Sequence, residues 1–362
     1  MKIRYVFLLF LALASPGVSR TLLGMNKSPA GEISPAATKR QTGELLADLR
    51  TLPDAALSPA GWTIKNILLG NRAAVSPQDL TTVYTAPGPI DSSECRRETC
   101  CMWKYIADAM ATSFRDGAGR CNELARQAVR LGFHDAGTWS KSAGGGGADG
   151  SVLLAPSELA RDDNRGLEVV AAQMAAWYAE WQPRGAGMAD LIQMGAAVAA
   201  ASCPLGPRAH AFVGRNDSAT PAPPDRLPSA DNSDAAALAA LFADKTLSLG
   251  ELVALVGAHT ASVQRFFDPL AAGSPQDSTP GVWDTLYYNQ TASSDPPQGV
   301  FRFPSDLALS QYAPARELWQ TFANGQAVWN DHYAAAYVRL SVLGVEHIND
   351  LTECTGVLPL SG

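Results

Sequence analysis

Between residues 101 and 354, apolar positions recur three and four residues apart far more often than they alternate, a spacing that lines one face of an α-helix. Helices are expected over residues 102–114, 122–134, 166–180, 189–201, 235–242, 249–263, 304–309, 314–324 and 327–343. Alternating β-branched runs are nearly absent, so the fold class is mostly α with few, short strands. Three stretches rich in glycine and proline, 143–150, 203–231 and 267–299, separate the helices. Loops of that length in a compact domain are usually functional or pinned by something.

The beginning of the chain has another character. Lys2 and Arg4 lead into the apolar run 5–14, which is too short for a bilayer core that needs roughly 20 helical residues, so residues 1–20 read as a secretory signal. Residues 21–94 contain no cysteine or histidine, are rich in Ser, Pro, Ala and Thr, and read as a leader or propeptide-like extension. Lys39-Arg40 is a dibasic pair of the kind used for processing, and 44–50 is a short amphipathic piece within that extension. The main domain is expected over 95–362. No other segment is apolar enough to span a membrane, which places the mature chain in solution outside the cell.

Composition narrows the function. With 28 Lys+Arg against 35 Asp+Glu, the net charge is −7, without the basic surplus that holds a nucleic-acid backbone or an anionic membrane. A 46% hydrophobic and 17% charged chain has material for a large core and is not a disordered one. The six cysteines, Cys95, Cys100, Cys101, Cys121, Cys203 and Cys354, are even in number behind an export signal and argue for disulfides, whose pairing the sequence leaves open. No C-x-x-C pair supports zinc. Asn216-Asp-Ser218 and Asn289-Gln-Thr291 have the form of glycosylation acceptors.

Of five histidines, His134 and His259 end strongly apolar helices. Leu252, Leu255 and Val256 share a face with His259, as a satisfied core histidine or a metal ligand would require. Arg130 lies four residues before His134 and points the same way. A buried guanidinium beside a base is costly unless an anion or a reacting oxygen lies near it. Cleaving an O–O bond heterolytically needs such a pair: the imidazole moves a proton between the oxygens while the guanidinium steadies charge on the departing one.

Arg130-Leu-Gly-Phe-His134-Asp135, Gly144-Gly-Gly-Gly-Ala-Asp-Gly-Ser151 and Gly257-Ala-His-Thr260 resemble the distal and proximal haem motifs of the plant-type peroxidase superfamily. Asp277-Ser-Thr-Pro-Gly-Val-Trp-Asp284 resembles its secreted fungal (class II) branch in particular, and the likeness runs from about Cys95 to Cys354. The resemblance implies two helical halves enclosing a haem b. His134 would be the distal acid–base, Arg130 its partner and Phe133 the residue typical of secreted branches. Glu158 and Asn164 would form a relay fixing the tautomer of His134. His259 would be the axial iron ligand, backed by Asp306 on its other nitrogen. Two calcium ions are implied, a distal one on Asp135, Gly147, Asp149 and Ser151, and a proximal one on Thr260, Asp277, Thr279, Val282 and Asp284. The implied disulfides are Cys95–Cys101, Cys100–Cys354 and Cys121–Cys203. A fourth bridge and much of the C-terminal tail of that branch are absent from this sequence, which would leave the rim of the site more open.

Departures from the family pattern point to a generic subtype. Where manganese-oxidising members carry three carboxylates, this chain has Glu123, Gln127 and Arg265. The exposed tryptophan of lignin-type members is replaced by Ala254, and Gln276 stands where many relatives have an apolar side chain near the haem. Trp139 and Trp283 are either surface radical relays or packing residues. The expected activity is reduction of hydrogen peroxide with one-electron oxidation of small phenolic or aromatic donors, by a secreted monomer. A manganese- or lignin-oxidising enzyme with a non-standard surface site, a non-catalytic haem protein and a calcium-stabilised interaction protein are the other readings.

Overall fold

The computed structural model describes residues 42–361; the signal and Lys39-Arg40 lie outside the described residues. The architecture is helical, and among the described residues the only paired strands are Phe212–Val213 and Thr352–Glu353, a two-residue antiparallel ladder. At the centre lies Met188–Ser202, a helix with every residue buried. Such an all-round apolar helix belongs in a core rather than on a surface.

The distal helix, Glu123–Ala136, packs mainly against this central helix, and the proximal helix, Leu249–Val256, packs mainly against Gln326–Leu340. Gly132 makes the first contact possible, because a Cβ there would sit 2.6 Å from the Cβ of Ala196. Each helix begins at a side-chain cap. Asn122 accepts from the Ala125 amide at 3.1 Å, and Ser248 forms a capping box with Glu251.

Two expected elements change. The helix expected to continue to Val263 leaves α geometry at Val256 and tightens into the 3-10 turn Gly257–Ala261. There Tyr288 Oη donates to the Val253 carbonyl (2.8 Å) and Trp329 Nε1 to that of Ala254 (3.0 Å), the carbonyls that the next α-turn would use. The stretch 267–299 is not all loop, since Leu286–Ala292 is a helix that buries Tyr287 and Tyr288.

Residues 42–94 pack against the helical body. Pro59–Leu68 is a helix with Ile64, Ile67 and Leu68 fully buried, and Leu49 is fully buried as well. Residues 42–94 therefore belong to the folded body, for the ordinary reason that their apolar face is covered by it. The six cysteines form three disulfides, Cys95–Cys101, Cys100–Cys354 and Cys121–Cys203. No helix among the described residues is long and apolar enough to cross a membrane.

Candidate active site

The distal and proximal helices face each other across a cleft of about 720 Å³, within the range of ~300–1,000 Å³ usual for small-molecule and cofactor sites. Arg130, Phe133 and His134 line one wall; His259, Phe303 and Asp306 line the other. The remaining lining is largely apolar, with Leu252, Leu255, Val256 and Leu309 among it.

On the distal wall a chain of contacts fixes one proton. Asn164 Nδ2 donates to the Glu158 carbonyl (2.8 Å), which turns Asn164 Oδ1 toward His134 Nδ1 (2.8 Å). The proton of His134 is thus on Nδ1, and Nε2 is left as an acceptor. Arg130 Nε donates to that Nε2 at 3.0 Å, while its terminal nitrogens hold the carbonyls of Arg165 (2.8 Å) and Asp163 (2.9 Å). Burial, and after it the charge of Arg130, push the His134 pKa down to about 3, so the imidazole is neutral. The relay runs through the backbone of Glu158; its carboxylate accepts instead from the Ala222 amide at 2.7 Å.

On the proximal wall His259 Nδ1 donates to Asp306 Oδ2 at 2.8 Å. Burial opposes protonation of this imidazole, but the Asp306 carboxylate outweighs it and the net shift is upward. Its Nε2 has no hydrogen-bond partner among the described residues, and the ring remains 38% exposed toward the cleft. A backed imidazole with a free nitrogen, set in an apolar cleft opposite a neutral base, is a donor set that fits the iron of a haem.

The two acidic loops assemble beside the two histidines. Asp135 is fully buried, accepting from the Gly150 amide (3.0 and 3.2 Å) and Gln193 Nε2 (3.4 Å); burial and the neighbouring Asp149 charge raise its pKa well above the usual range. Ser151 Oγ and Glu158 Oε1, close by in the chain, are buried without a partner in hydrogen-bonding geometry. Gly147 has φ +119°, and a Cβ there would press on the Leu343 carbonyl at 2.5 Å. In the proximal loop, Thr260 Oγ1 donates to Asp277 and lies 3.5 Å from the Val282 carbonyl. Thr279 Oγ1 lies 2.9 Å from Asp284. Asp277 is pushed up to about 6, chiefly by burial, with the Asp284 charge adding to it. Among the described residues no three His, Cys, Asp or Glu side chains group as a metal site, so each loop offers two carboxylates completed by hydroxyls and carbonyls.

Comparison with known proteins now bears on this geometry. The peroxidase family model matches residues 106–325. The chain belongs to the peroxidase family. It is 33% identical over 298 residues to a peroxidase of Arthromyces ramosus, covering 76% of this chain and 79% of that one. A peroxidase of Coprinopsis cinerea matches with the same identity and coverage. Manganese peroxidase 3 of Phlebia radiata is 31% identical over 309 residues, 79% of this chain and 83% of its own. This peroxidase is accordingly a haem enzyme that oxidises substrates with hydrogen peroxide, of fungal class II ancestry.

Four positions depart from that family background. Arg265 forms an ion pair with Glu123 (2.8 Å), and Gln127 Nε2 donates to the same carboxylate (3.1 Å). Ala254 is fully buried, which leaves no surface there for a tryptophan. Gln276, also buried, contacts Ser262 through Oε1 and leaves Nε2 without a partner. Trp283, considered as a surface relay, is fully buried and stacked on Trp329 at 5.2 Å, so it is a packing residue. Trp139 is partly buried. The sequence pattern did not single out Phe266, Phe267, Asp163 and Arg165, which shape the cleft mouth; the paired aromatics Phe266-Phe267 straight after Arg265 were the available signal.

Proposed function

We propose that this enzyme is a generic peroxidase whose donors are small phenols and aromatic amines, and that it neither requires nor tightly binds manganese. The observation that supports this best is the Arg265–Glu123 ion pair, which leaves a cation where a divalent metal would need a third carboxylate. Haem, which His259 would hold, would supply the redox centre for peroxide reduction. The protein's own residues move the protons. His134 Nε2 accepts the proton of the incoming peroxide and returns it to the departing oxygen, and Arg130 must release that lone pair as peroxide enters. Its guanidinium, still held by the 163 and 165 carbonyls, then faces the charge that develops on the departing oxygen. Each peroxide takes two electrons and two protons and leaves as two waters, each of two phenols giving up one electron and one proton.

Two calcium ions complete the proposal, the distal one on Asp135, Gly147, Asp149 and Ser151, the proximal one on Thr260, Asp277, Thr279, Val282 and Asp284. Buried carboxylates that repel one another support a hard cation at the distal loop. Export from the cell is supported by the three disulfides, which persist in oxidising surroundings. Asn216 and Asn289 are exposed, as sites for glycans would be. The deciding experiment is steady-state turnover of the purified protein on a phenol, a non-phenolic dye and Mn²⁺ in parallel. Phenol turnover independent of manganese is expected; oxidation that depends on manganese would refute the assignment.

A further inference from the structure

Residues 244–247 join the two walls of the cleft, leading from the helix Ala235–Asp244 into the proximal helix. The first of these helices belongs to the distal side, where Phe242 stacks on Phe133 with ring centroids 6.0 Å apart. The loop after the distal helix grips the same end. The Lys141 amide donates to the Asp244 carbonyl (2.8 Å), Ser142 Oγ to the Asp244 carboxylate (2.6 Å), and Lys245 Nζ to the Trp139 carbonyl (3.1 Å).

The joint is held in an unfavourable shape. Thr246 has φ +62°, the left-handed region that a β-branched residue rarely enters, and its Oγ1 is buried with no hydrogen-bond partner. Strain of this kind persists only where the surrounding contacts over-determine it.

The remaining contacts come from a segment outside the family match, which begins at residue 106. Thr42 Oγ1 donates to the Thr246 carbonyl at 3.2 Å. Two residues on, Glu44 reaches both walls. Its carboxylate pairs with Lys141 Nζ of the distal loop at 2.5 Å, and its carbonyl accepts from Arg339 at 2.8 Å. Arg339 in turn holds Glu251 at 2.9 Å, the residue whose capping box starts the proximal helix. One residue is thus joined to the loop that follows His134 and, through Arg339, to the cap of the helix that leads to His259.

We propose that Glu44 is a positioning residue for the haem site: the strap 42–44 clasps the distal loop to the base of the proximal helix, and the hold of His259 on haem depends on that clasp. This rests on the haem reading above. The Glu44–Lys141 pair is partly exposed, 34% and 54%, so it adds little to overall stability and its role is geometrical. Once the strap lets go, the strained joint relaxes toward an ordinary φ, and the first turn of the proximal helix moves with it.

The test measures transfer of haem from the loaded protein to apomyoglobin, with the iron–imidazole stretch of the ferrous form read by resonance Raman. Glu44→Lys and Lys141→Glu each set like charges against one another, and each is expected to speed haem transfer about threefold and to shift or broaden the iron–imidazole band. Exchanging the two charges, Glu44→Lys with Lys141→Glu, should restore both readouts to the parent's values. On a Thr246→Gly background, which takes the same backbone shape without strain, Glu44→Lys should lose most of its effect. A transfer rate unchanged in both single variants overturns the proposal. A lower melting temperature with the transfer rate and the band as in the parent overturns it too, since that is the mark of a merely structural pair. Failure of the exchange to restore the parent's values, or an undiminished effect on Thr246→Gly, does the same. If Glu44→Lys does not fold, Glu44→Gln makes the same comparison, with a smaller rise in transfer rate expected and an unchanged rate overturning the proposal. A parent that retains no haem would instead defeat the haem reading, and the positioning proposal with it.

Discussion

Two neighbours settle one proton at His134. Asn164 takes the hydrogen of Nδ1 and Arg130 occupies the lone pair of Nε2, so the ring is a neutral base already in the tautomer that proton transfer needs. Replacing His134 with Ala should slow the reaction with peroxide by about 10²–10⁴-fold, the contribution of a positioned general base, while haem stays bound through His259. Stopped-flow mixing with peroxide, alongside the haem spectrum, measures both. A second residue-scale outcome concerns Glu123, whose charge Arg265 neutralises. Combining Arg265→Asp with Gln127→Glu removes the cation and brings together three carboxylates, two from the distal helix and one from the segment after His259. Mn²⁺ binding measured by calorimetry should then appear where the parent has none.

Helix ends, more than helix bodies, place the chemistry. The proximal helix starts at a capping box whose glutamate, Glu251, also pairs with buried Arg339 at 2.9 Å, and it ends by tightening just before His259. The acidic loops adjoin the same ends, through Asp135 after His134 and Thr260 after His259. On the calcium proposal, a chelator should lower the melting temperature and loosen both histidines. A fall in Tm of several degrees, reversed by added Ca²⁺ and not by Mg²⁺, is the expected calorimetric result. Lys245, at the end of Ala235–Asp244, illustrates the cost of an end that is buried. It is fully inaccessible, bonded to the Trp139 carbonyl at 3.1 Å, and burial lowers its pKa from 10.5 to about 8. Below pH 8 it is charged in both the folded and the unfolded chain, so the burial penalty is complete. Between pH 8 and 10.5 the folded form releases a proton that the unfolded form keeps, and the penalty fades. Lys245→Met should therefore stabilise by on the order of 2 kcal/mol at pH 7 and by much less near pH 10.5, as denaturant midpoints at the two pH values would show.

At the scale of the molecule, two buried arginines tie the N-terminal segment to the helical body. Arg208 is fully buried and donates to Thr82 Oγ1 (2.6 Å), to the carbonyls of Pro77 (3.1 Å) and Thr82 (3.0 Å), and to that of Gly356 (3.2 Å). Arg339 donates to the Glu44 carbonyl (2.8 Å) and the Leu68 carbonyl (3.1 Å). A chain shortened to begin at residue 95 would take the Glu44 and Leu68 carbonyls from Arg339 and the Pro77 and Thr82 partners from Arg208, and would uncover the sites of Leu49, Ile64, Ile67 and Leu68. Each buried side chain of that size is worth roughly 1.5–3 kcal/mol, so the four together come to about 6–12 kcal/mol, comparable with the whole ~5–15 kcal/mol stability of ordinary domains. The shortened protein is expected to be insoluble or molten, measured by soluble yield and near-UV circular dichroism. A shortened protein with the parent's melting temperature would refute this.

Local pattern carried the chain a long way. Apolar spacing marked the helices, and Arg130 four residues before His134 announced a shared face, because helical geometry converts sequence distance directly into direction. Resemblance to the family, not local pattern, paired His259 with Asp306, 47 residues apart yet in contact. The covering of 42–94 was hidden, because Ser58-Pro59 signals the start of a helix but nothing local says which surface will bury it. Likewise Arg208 reads as an ordinary surface cation until distant carbonyls close around it. The short end of the proximal helix depended on Tyr288 and Trp329 reaching carbonyls from far along the chain. Sequence determined what each segment could become and which side chains could do the chemistry; only the tertiary structure decided what was covered, since burial depends on partners that come from elsewhere in the chain.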